Sequence, residues 1–544
     1  MKDSSSPFVS IITVNFNGIF FLKTLFDSIA SLNYPKEKLQ VIMVDNGSTD
    51  GSVSYVKSSY PFVEILKINK NLGFAGGNNE GAKAARGDYI AFINNDCAVE
   101  KGWLSSLVRT MREKEAQNIK IGGAGSKVLF YFKYLSLRIS FDRFTHSNSL
   151  NESEEGFEAL IKGFKINAGN DEYSQNDPDG CGAYKKNLFG FANKSFKYPS
   201  GFCDLDRDED KNIIRRVRNN AVVRVPVADM GRDMELEFLV SFLEPAVNFK
   251  IFLENDNSDG APEISLFDFK EKSVQHDIKN IDAVSAFAIE NIKTEDPDRE
   301  KSIKGGKSFE GGDINNKKRL TNSQGEPDFT KVVLRIPSEQ YSHCQSIVNS
   351  CGSMINKAFY AREINYECAD DESVVKPFEV FALPGSSFII NKKLAEETGL
   401  FDEKFFTYYE DIDFFWRAVL KGWRFFAVPE SVSRHFHCGS GEEWSHSFTY
   451  HVLRNRLLMI YRCCWFSGFL KNYLSFCVAA FINLLYMAAA KARKRELNRP
   501  DILIRIKIFF EFFILMALHL GKRFKIRTSS SVTDKSIKKW QQDF

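Results

Sequence analysis

Two groups of side chains in this 544-residue chain have types and spacing suited to chemistry. In the first, Asn94, Asn95 and Asp96 follow the apolar run Tyr89–Ile93, which predicts a buried strand ending in polar residues. Mg²⁺ and Mn²⁺ prefer oxygen ligands, and one protein carboxylate can suffice where substrate phosphates supply others. Asp96 is therefore a candidate metal ligand. The alternative is an Asx turn in which Asp96 caps the next helix.

The second group is an acidic cluster of Glu410, Asp411 and Asp413, followed by Arg417. A positioned carboxylate can take a proton from an attacking hydroxyl, so Asp411 is a candidate general base with Glu410 beside it. Repulsion within the cluster would raise one pKa and the start of a helix would lower it, and the sequence leaves that balance open. Asp413 and Arg417 are predicted to support the site. The alternative is the acidic first turn of a surface helix.

The elements that position these groups follow from hydrophobic patterning. The N-terminal part alternates apolar strands with helices, which predicts an α/β fold with a parallel sheet covered on both faces. Ligands of such sheets bind at the carboxyl ends of the strands. Asn15, Asn17, Asp45 and Asp96 all follow predicted strands, so we expect them at one edge of the sheet. Asp45 could instead be a plain turn residue.

Three segments resemble the signatures of family 2 glycosyltransferases, which are inverting enzymes with the GT-A fold. They are residues 9–18, 44–48 and 71–79, and in pattern they resemble the rhamnosyltransferase-like subgroup of bacterial surface-polysaccharide synthesis. The resemblance covers residues 8 to about 128 and resumes from about 380 to 460. It implies a GT-A, Rossmann-like nucleotide-sugar-binding fold.

The resemblance implies where a nucleotide sugar would bind. Asp45 would accept a hydrogen bond from the nucleobase, since a carboxylate can pair with the imide N–H of uracil or thymine. Asn15 and Asn17 would line the nucleotide pocket beside it. Gly73 would let the backbone approach the sugar diphosphate closely, because glycine has no side chain in the way. The alternative for the glycine-rich segment is a flexible loop.

The resemblance also implies a divalent metal, Mg²⁺ or Mn²⁺. Asn94 stands where many family members have the first Asp of Asp-x-Asp, which leaves Asp96 as the direct ligand and Asn94 and Asn95 as donor-binding residues. His435 has the spacing of the family's metal- or diphosphate-binding histidine, with His437 as its rival. Together Asp96 and His435 would hold an ion on the diphosphate and neutralise the leaving group.

The reaction that the resemblance implies is inverting sugar transfer. Asp411 matches the family's general base, which takes the proton of an acceptor hydroxyl as it attacks the anomeric carbon opposite the leaving diphosphate. The expected donor carries rhamnose or a similar hexose, and the expected acceptor is a lipid-linked glycan or polysaccharide of the cell envelope. No nucleic acid is expected as a partner. Two alternatives stay open: a nucleotidyltransferase, and a glycan-binding protein with a decayed catalytic domain.

The pattern divides the chain into four regions. Residues 1–130 and 378–445 are the two predicted halves of the GT-A fold. Short alternating runs in residues 131–377 predict an inserted antiparallel β-sandwich, in which residues 291–325 have no periodicity and predict a mobile loop. The insert could bind the acceptor or control glycan length, or it could be a spacer or oligomerisation module. Residues 446–544 are predicted to be helical.

The helical region is also predicted to associate with a membrane. Residues 472–490 carry little charge over a length close to that of a membrane span, and residues 491–544 contain 14 Lys/Arg against 5 Asp/Glu. This combination favours amphipathic helices on the inner leaflet, attracted to anionic lipid, over a transmembrane helix or helices packed on the catalytic domain. A short polar N-terminus and scattered cysteines indicate a cytoplasmic protein, peripheral on the inner face of the plasma membrane.

Overall fold

The computed structural model describes residues 6–143, 157–167, 197–207, 213–227, 234–242, 247–253, 264–269, 330–336, 338–437, 445–492 and 500–542. The chain divides into two compact units, the first comprising Met1–Tyr131 and Ile347–Phe544 and the second Phe132–Ser346. Residues 347–377, assigned to the insert by their pattern, therefore lie in the first unit. The predicted mobile loop at residues 291–325 lies outside the described residues.

The elements alternate in the order that the N-terminal pattern predicts and continue past it. The strands of the described residues are β1 (Val9–Asn15), β2 (Leu39–Asp45), β3 (Val63–Lys67), β4 (Tyr89–Ile93), β5 (Cys97–Val99), β6 (Ile121–Arg143), β7 (Phe157–Asn167), β8 (Lys197–Arg207), β9 (Ile213–Val227), β10 (Met234–Phe242), β11 (Val247–Leu253), β12 (Ile264–Phe269), β13 (Thr330–Ile336), β14 (Gln345–Ser350), β15 (Ser353–Asn356), β16 (Ala361–Glu363), β17 (Phe378–Val380), β18 (Ser387–Asn391), β19 (Arg424–His435) and β20 (Gln541–Gln542). The helices are α1 (Ile19–Ala30), α2 (Ser52–Ser59), α3 (Gly73–Ala84), α4 (Trp103–Ala116), α5 (Lys392–Thr398), α6 (Glu410–Leu420), α7 (His446–Cys463), α8 (Phe466–Ala492), α9 (Pro500–Thr528) and α10 (Asp534–Lys538).

The main sheet of the first unit is mixed. Strands β3, β2, β1 and β4 lie side by side and parallel, as the alternating pattern predicts. The sheet continues through β18, which is antiparallel to β4 and to β6, and through β19, which is parallel to β6 and antiparallel to β17. Strand β5 pairs antiparallel with β19, which sets Cys97 opposite His435. The α/β class is confirmed, and the antiparallel strands come from the second half of the chain.

The sheet separates two hydrophobic cores, because successive side chains of a strand point to opposite faces. Ile11 and Ala91 pack with α1 and α4 on one face, whereas Ile12 and Ile90 face a core built largely from α6 and α7. Leu457 of α7 is fully buried in that second core. A buried leucine is worth about 2 to 5 kcal/mol over alanine, so α7 is held firmly against the sheet.

A small second sheet lies in the first unit. Strand β15 pairs antiparallel with β16 and parallel with β20, so that Ser353 stands opposite Glu363. The backbone N–H of Ser353 donates to the carbonyl of Ala382, and the N–H of Cys351 donates to the carbonyl of Ile364. These bonds tie residues 351–364 to the segment that leads into β18.

The described strands of the second unit pair antiparallel throughout. β10 lies between β13 and β7, β9 pairs with β7 and β8, and β11 pairs with β12. The C-terminal part of β6 pairs with β9 and β11. The predicted antiparallel character is therefore seen in these strands, and a sandwich of two packed sheets stays a prediction.

The C-terminal region is helical, as its pattern predicts. Within the described residues one segment, Phe466–Leu485 of α8, is long and apolar enough to cross a membrane, with a mean hydropathy of 1.4 and 22% of it buried. The neighbouring apolar run at 508–520 lies inside the 29-residue helix α9. Most of the basic cluster that follows α8 lies outside the described residues.

Candidate active site

The parallel strands bring the predicted donor-binding residues to one edge of the sheet. Asn15 pairs with Asp45 as the last residues of β1 and β2. The Oδ1 atom of Asn15 accepts from Nδ2 of Asn95 at 2.9 Å, and its Nδ2 donates to Oγ of Ser48 at 3.1 Å. A side chain at Gly18 would place its Cβ 2.3 Å from Nδ2 of Asn95, so this contact requires glycine. Asn15 is fully buried and braces the edge.

Two buried acceptors at this edge have no hydrogen-bond partner. Asp45 accepts from the backbone N–H of Ser48 through Oδ2 at 3.2 Å, while its Oδ1 is unpaired. The Oδ1 atom of Asn46 is unpaired as well, although its Nδ2 donates to the carbonyl of Gly73 at 3.0 Å. An unpaired buried acceptor costs roughly 1 to 3 kcal/mol, so a ligand that offers N–H or O–H donors here would relieve that cost.

Asn17 braces the loop that follows β1. Its backbone is left-handed, with a φ of 50°, which asparagine tolerates better than most residues. Its N–H donates to Oγ of Ser48 at 3.0 Å, and its Oδ1 accepts from the N–H of Thr49 at 2.8 Å. Asn17 thus joins the loop after β1 to the loop after β2 at this edge of the sheet.

Gly73 begins α3 beside the loop that precedes the acidic cluster. Its φ is 69°, and a Cβ there would lie 2.4 Å from the carbonyl oxygen of Phe406. That same carbonyl accepts from the N–H of Ala75 at 3.2 Å. Both the backbone conformation and the close approach therefore exclude a side chain at this position.

The predicted metal ligands are in contact. Nε2 of His435 lies 3.2 Å from Oδ1 of Asp96, and both side chains are largely buried. Nδ1 of His435 faces Oδ1 of Asn349 at 3.1 Å, and Nδ2 of Asn349 faces Nδ1 of His437 at 3.3 Å. In the protonation pattern that this network assigns, His435 donates through Nδ1 and His437 accepts. His437 therefore lies behind His435, at the far side of Asn349.

A divalent cation fits this arrangement. With Nδ1 of His435 donating to Asn349, the lone pair of the neutral ring lies on Nε2, which faces Oδ1 of Asp96 and can bind a cation shared with that carboxylate. Burial by itself would raise the pKa of Asp96, but the charge and hydrogen bond of His435 outweigh burial and hold it below its usual value. Burial and the Asp96 charge raise the pKa of the adjacent Cys97 well above its usual value, so that thiol stays neutral.

The other two residues of this turn are less buried than Asp96. The backbone N–H of Asn94 donates to the carbonyl of Ser386 at 2.9 Å, which ties the turn to the start of β18. The side chains of Asn94 and Asn95 are partly exposed, while that of Asp96 is 6% exposed. The amides of Asn94 and Asn95 are therefore accessible to a ligand at this edge of the sheet, whereas Asp96 lies deeper.

The acidic cluster opens α6, and its first two carboxyls differ in environment. Asp411 is partly exposed, and its Oδ1 accepts from the N–H of Ile412 at 2.7 Å. Burial raises the pKa of Asp411 to about 6. Glu410 is 5% exposed with an unpaired Oε2, and burial followed by the Asp411 charge raises its pKa well above the usual value. Burial therefore outweighs the start of the helix and raises the pKa of both carboxyls.

A third carboxyl belongs to the same neighbourhood. Glu363 is held by the hydroxyls of Ser350 and Ser353, and burial raises its pKa to about 7. Asp411 raises that pKa further and His435 opposes it, so Glu363 lies within electrostatic reach of the acidic cluster and the Asp96–His435 pair. Backbone geometry joins the two groups: a Cβ at Gly385 would lie 2.6 Å from Oδ2 of Asp411, and the carbonyl of the next residue, Ser386, accepts from the N–H of Asn94 at 2.9 Å.

Asp413 and Arg417 point into the protein. Nε of Arg417 lies 2.8 Å from Oδ2 of the fully buried Asp413, and its other nitrogens donate to the carbonyls of Thr398 and Leu400. Arg462 of α7 also lies 3.3 Å from Oδ2 of Asp413. This network fixes α6 to the segment that precedes it, so both residues act on the site through the helix.

Sequence reasoning missed several residues at the site. Asn349 and Glu363 stand in alternating runs typical of the insert, so nothing local marks them. Gly385 lies beside Asp411, because a Cβ there would be 2.6 Å from Oδ2 of Asp411. Asn455 carries a weak signal, since it stands between two arginines just before the apolar run Leu457–Ile460.

Comparison with known proteins identifies the N-terminal part. Residues 10–189 match the family model described as Glycosyl transferase family 2. Glycosyltransferase AglE of Haloferax volcanii is 32% identical over 111 residues, which are 20% of this chain and 36% of that protein. The poly(ribitol-phosphate) beta-glucosyltransferase of Bacillus spizizenii is 32% identical over 92 residues, covering 16% of this chain and 14% of that protein. The chain spans about a third of the length of the first curated relatives it matches.

Solved structures match over a similar share. The crystal structure of residues 1–349 of S. aureus TarS is 21% identical with a TM-score of 0.20, and covers 22% of this chain and 35% of that one. The Pyrobaculum calidifontis mannosyltransferase PcManGT, solved with GDP-Man and Mn²⁺, is 21% identical with a TM-score of 0.21, and covers 23% and 36%.

Proposed function

We propose that this chain, whose residues 10–189 belong to glycosyl transferase family 2, transfers a sugar with inversion from a nucleoside diphosphate to a hydroxyl of a surface glycan. The observation that carries the proposal is that residues 385–386 adjoin both groups: a Cβ at Gly385 would lie 2.6 Å from Oδ2 of Asp411, and the carbonyl of Ser386 accepts from the N–H of Asn94, two residues before Asp96. A partly exposed carboxylate and a carboxylate–imidazole pair stand together beside unpaired acceptors at the end of β2. Sugar transfer needs each of these groups. The carboxylate would take the acceptor proton, the carboxylate–imidazole pair would hold a cation on the diphosphate, and the unpaired acceptors would bind the nucleobase.

Asp411 is the proposed base. Its pKa of about 6 leaves it ionised at neutral pH yet basic enough to take a proton as the acceptor hydroxyl attacks. Burial raises the pKa of Glu410 well above its usual value, so Glu410 is not the proposed base. Gly385 leaves room for the Asp411 carboxylate, because a Cβ at this position would lie 2.6 Å from Oδ2.

Asp96 and His435 are the proposed metal ligands, with Mg²⁺ or Mn²⁺ as the ion. Such an ion, when bound, neutralises charge on the leaving diphosphate. Asn349 holds His435 through Nδ1, which keeps Nε2 directed at Asp96. The neutral thiol of Cys97 is a poor ligand for a hard cation, so the protein contributes one oxygen and one nitrogen.

Asp45, Asn15 and Asn17 are the proposed nucleotide-binding residues. The free Oδ1 of Asp45 suits the imide N–H of uracil or thymine, which favours a UDP- or dTDP-sugar. The donor proposed within this set is dTDP-rhamnose or a UDP-hexose. The names of the relatives favour the cell envelope as the setting, and the proposed acceptor is a lipid-linked glycan or a polysaccharide.

The test is donor hydrolysis and sugar transfer by the full chain. We would measure nucleoside diphosphate release across UDP-, GDP- and dTDP-sugars, with and without Mn²⁺ or Mg²⁺, for the wild type and for Asp96→Ala. The matched control is Asp27→Asn, which removes a carboxylate paired with Lys23 on the exposed face of α1.

The proposal expects turnover of one donor, dependent on metal, lost in Asp96→Ala and kept in Asp27→Asn. Turnover that needs neither metal nor Asp96 would remove the metal role. No turnover of any donor, together with no donor binding by calorimetry, would overturn the enzymatic proposal and favour a glycan-binding protein.

We further propose that α8 and α9 dock on an anionic membrane at the cytoplasmic face. Exposed apolar side chains recur every three or four residues on both helices: Phe466, Leu470, Leu474, Val478, Phe481 and Leu485 on α8, and Leu503, Phe510, Ile514 and Leu518 on α9. The last turn of α9 is basic, with Lys525 and Arg527. An apolar face with basic residues at its end is the composition of an interfacial helix.

Vesicle flotation tests this docking. The full chain is expected to float with vesicles of phosphatidylglycerol and phosphatidylcholine, and less with phosphatidylcholine alone. The double variant Leu474→Asp and Ile514→Asp should lose flotation. Val374→Asp, at an exposed apolar residue outside these helices, should keep it. Equal flotation of both variants would contradict the proposal.

A further inference from the structure

The six residues 404–409, here the 404–409 loop, join the donor edge to the acidic cluster. The carbonyl of Phe406 accepts from Ala75 at the start of α3, and Asp411 follows two residues after the loop. Three residues of the loop have left-handed backbones: Phe406, Tyr408 and Tyr409, with φ of 65°, 64° and 67°. Aromatic residues seldom adopt this conformation, so the surrounding structure must impose it.

One side chain supplies that restraint. Nδ2 of Asn455, on α7, lies 2.9 Å from the carbonyl oxygen of Phe405, 2.8 Å from that of Thr407 and 2.8 Å from that of Tyr408. Asn455 is fully buried. An amide nitrogen has two hydrogens, so three converging carbonyls use its whole donor capacity. This convergence requires the turned backbone that left-handed residues provide.

Asn455 is itself held in place. Its Oδ1 accepts from Nη1 of Arg454 at 2.7 Å, and the same nitrogen donates to the carbonyl of Lys404 at 2.9 Å. Nε of Arg454 lies 2.9 Å from a carboxylate oxygen of Glu511 on α9. Two adjacent residues of α7 therefore bind four carbonyls of one short loop.

We propose that Asn455 is a positioning residue for Asp411: by gathering the carbonyls of the 404–409 loop it fixes where α6 begins and where its carboxylate lies. Asn455 contacts no substrate and acts through the loop. This role rests on the proposed function, since it matters for catalysis only if Asp411 is the base. Its structural part, the restraint on the loop, can be measured without activity.

The experiment compares Asn455→Ala and Asn455→Asp with Asn391→Ala in the full chain. Asn391 is the last residue of β18, at the end remote from Asp96. Its side chain caps α5 and donates to Glu115, so it is a matched asparagine outside the site. Hydrogen exchange of the peptide spanning residues 402–411 reports the loop. Steady-state transfer reports kcat and the donor KM separately.

Both Asn455 variants are expected to exchange at least about tenfold faster in that peptide and to lose about a hundredfold in kcat, with the donor KM within threefold. A displacement of a catalytic group by about 1 Å typically costs that much. Asn455→Asp should be at least as impaired as alanine, since its carboxylate would face three carbonyl oxygens. Asn391→Ala should lower Tm and leave kcat and loop exchange unchanged.

Unchanged exchange and kcat in Asn455→Ala would overturn the proposal, and so would a loss of kcat proportional to the loss of folded protein. If Asn455→Ala does not fold, Arg454→Lys decides, because it removes the guanidinium bonds to Lys404 and Asn455 while leaving the amide in place. Arg454→Lys should shift exchange and kcat in the same direction by a smaller factor, and no shift would refute the restraint. If the wild type shows no transfer activity and Asn455→Ala still exchanges faster in this peptide, the restraint on the loop stands and only the proposed function is refuted.

Discussion

Asp411 and Glu410 provide a sharp test of the mechanism, because adjacent carboxyls are assigned opposite protonation states. With a pKa of about 6, Asp411 is about 97% ionised at pH 7.5 and about 9% ionised at pH 5. The value of kcat/KM for transfer should therefore fall about tenfold over that range, with an acid limb centred near pH 6. Glu410, whose pKa burial raises well above its usual value, is expected to contribute no second limb there.

The variants follow from the same assignment. Asp411→Asn removes the proposed base and should lower kcat by about 10² to 10⁴. Glu410→Gln replaces a neutral acid by a neutral amide of the same shape, so kcat should change by less than about threefold and the acid limb should stay. In both variants donor affinity should be kept, since neither side chain lies at the nucleotide edge.

The assay is initial-rate transfer between pH 5 and 8.5, with donor and Mn²⁺ affinity measured by calorimetry at each end. The affinity measurements separate protonation of the base from protonation of Asp96 or His435, which would weaken metal binding. Equal damage from Glu410→Gln and Asp411→Asn would refute the division of roles. An acid limb that disappears when metal is saturating would assign it to the metal pair instead.

Three other predictions concern residues that hold the site. Asn349→Ala frees Nδ1 of His435 and should weaken Mn²⁺ binding by about 10- to 100-fold, measured by electron paramagnetic resonance titration, whereas unchanged affinity would show that His435 is oriented without it. Glu363 has its pKa raised from 4.5 to about 7, so its contribution to stability is present below pH 4.5 and is lost as pH rises through 7. Glu363→Gln should therefore gain stability relative to the wild type between pH 6 and 8, by up to about 3 kcal/mol in denaturant unfolding, and a difference independent of pH would contradict this. Gly385→Ala places a methyl group against Oδ2 of Asp411 and should lower kcat at least about tenfold with donor affinity kept, whereas full activity would mean that the base tolerates displacement.

Local patterning was enough for the parts of the site that lie on consecutive elements. Asn15 and Asp45 each end an apolar run, and parallel pairing of β1 and β2 necessarily brings strand ends to one edge. The contact between Asp96 and His435 required more, because β5 and β19 are far apart in the chain and pair antiparallel. Only the resemblance to a known family linked the two residues. The antiparallel pairing of β18 with β4 and β6 likewise had no signal in the local pattern.

The remaining features of the site depend on tertiary packing, which the hydrophobic pattern of the sequence does not show. An acidic cluster can also be the first turn of a surface helix, and the raised pKa values of Glu410 and Asp411 follow from packing that no local window contains. Asn349 and Glu363 stand in short alternating runs, which indicate strands but not the unit to which the strands belong. Asn455 gains its role from carbonyls of a loop that precedes it by about fifty residues.

The boundary of the second unit can be tested by deletion, and the outcome depends on residues 347–377. The rings of Phe130 and His437 have centroids 5.5 Å apart, and Asn349 is 3.3 Å from the same histidine. The two ends of the first unit around the deleted segment therefore lie close together. A flexible linker of about eight Gly/Ser residues, with a typical span of about 16 Å, should reconnect them.

Deletion of residues 132–346 with this linker should leave donor and Mn²⁺ binding within about threefold of the full chain. Deletion of residues 131–377, the segment that patterning assigns to the insert, removes Asn349 and Glu363 together and should lower Mn²⁺ affinity at least as much as Asn349→Ala does. Calorimetry of both variants, after circular dichroism shows that each folds, gives the comparison. If the shorter deletion loses Mn²⁺ binding while folded, residues 132–346 take part in the metal site and the division drawn at Ile347 does not describe function. If the longer deletion folds and keeps full Mn²⁺ affinity, the contact between Asn349 and His435 has no part in holding the ion.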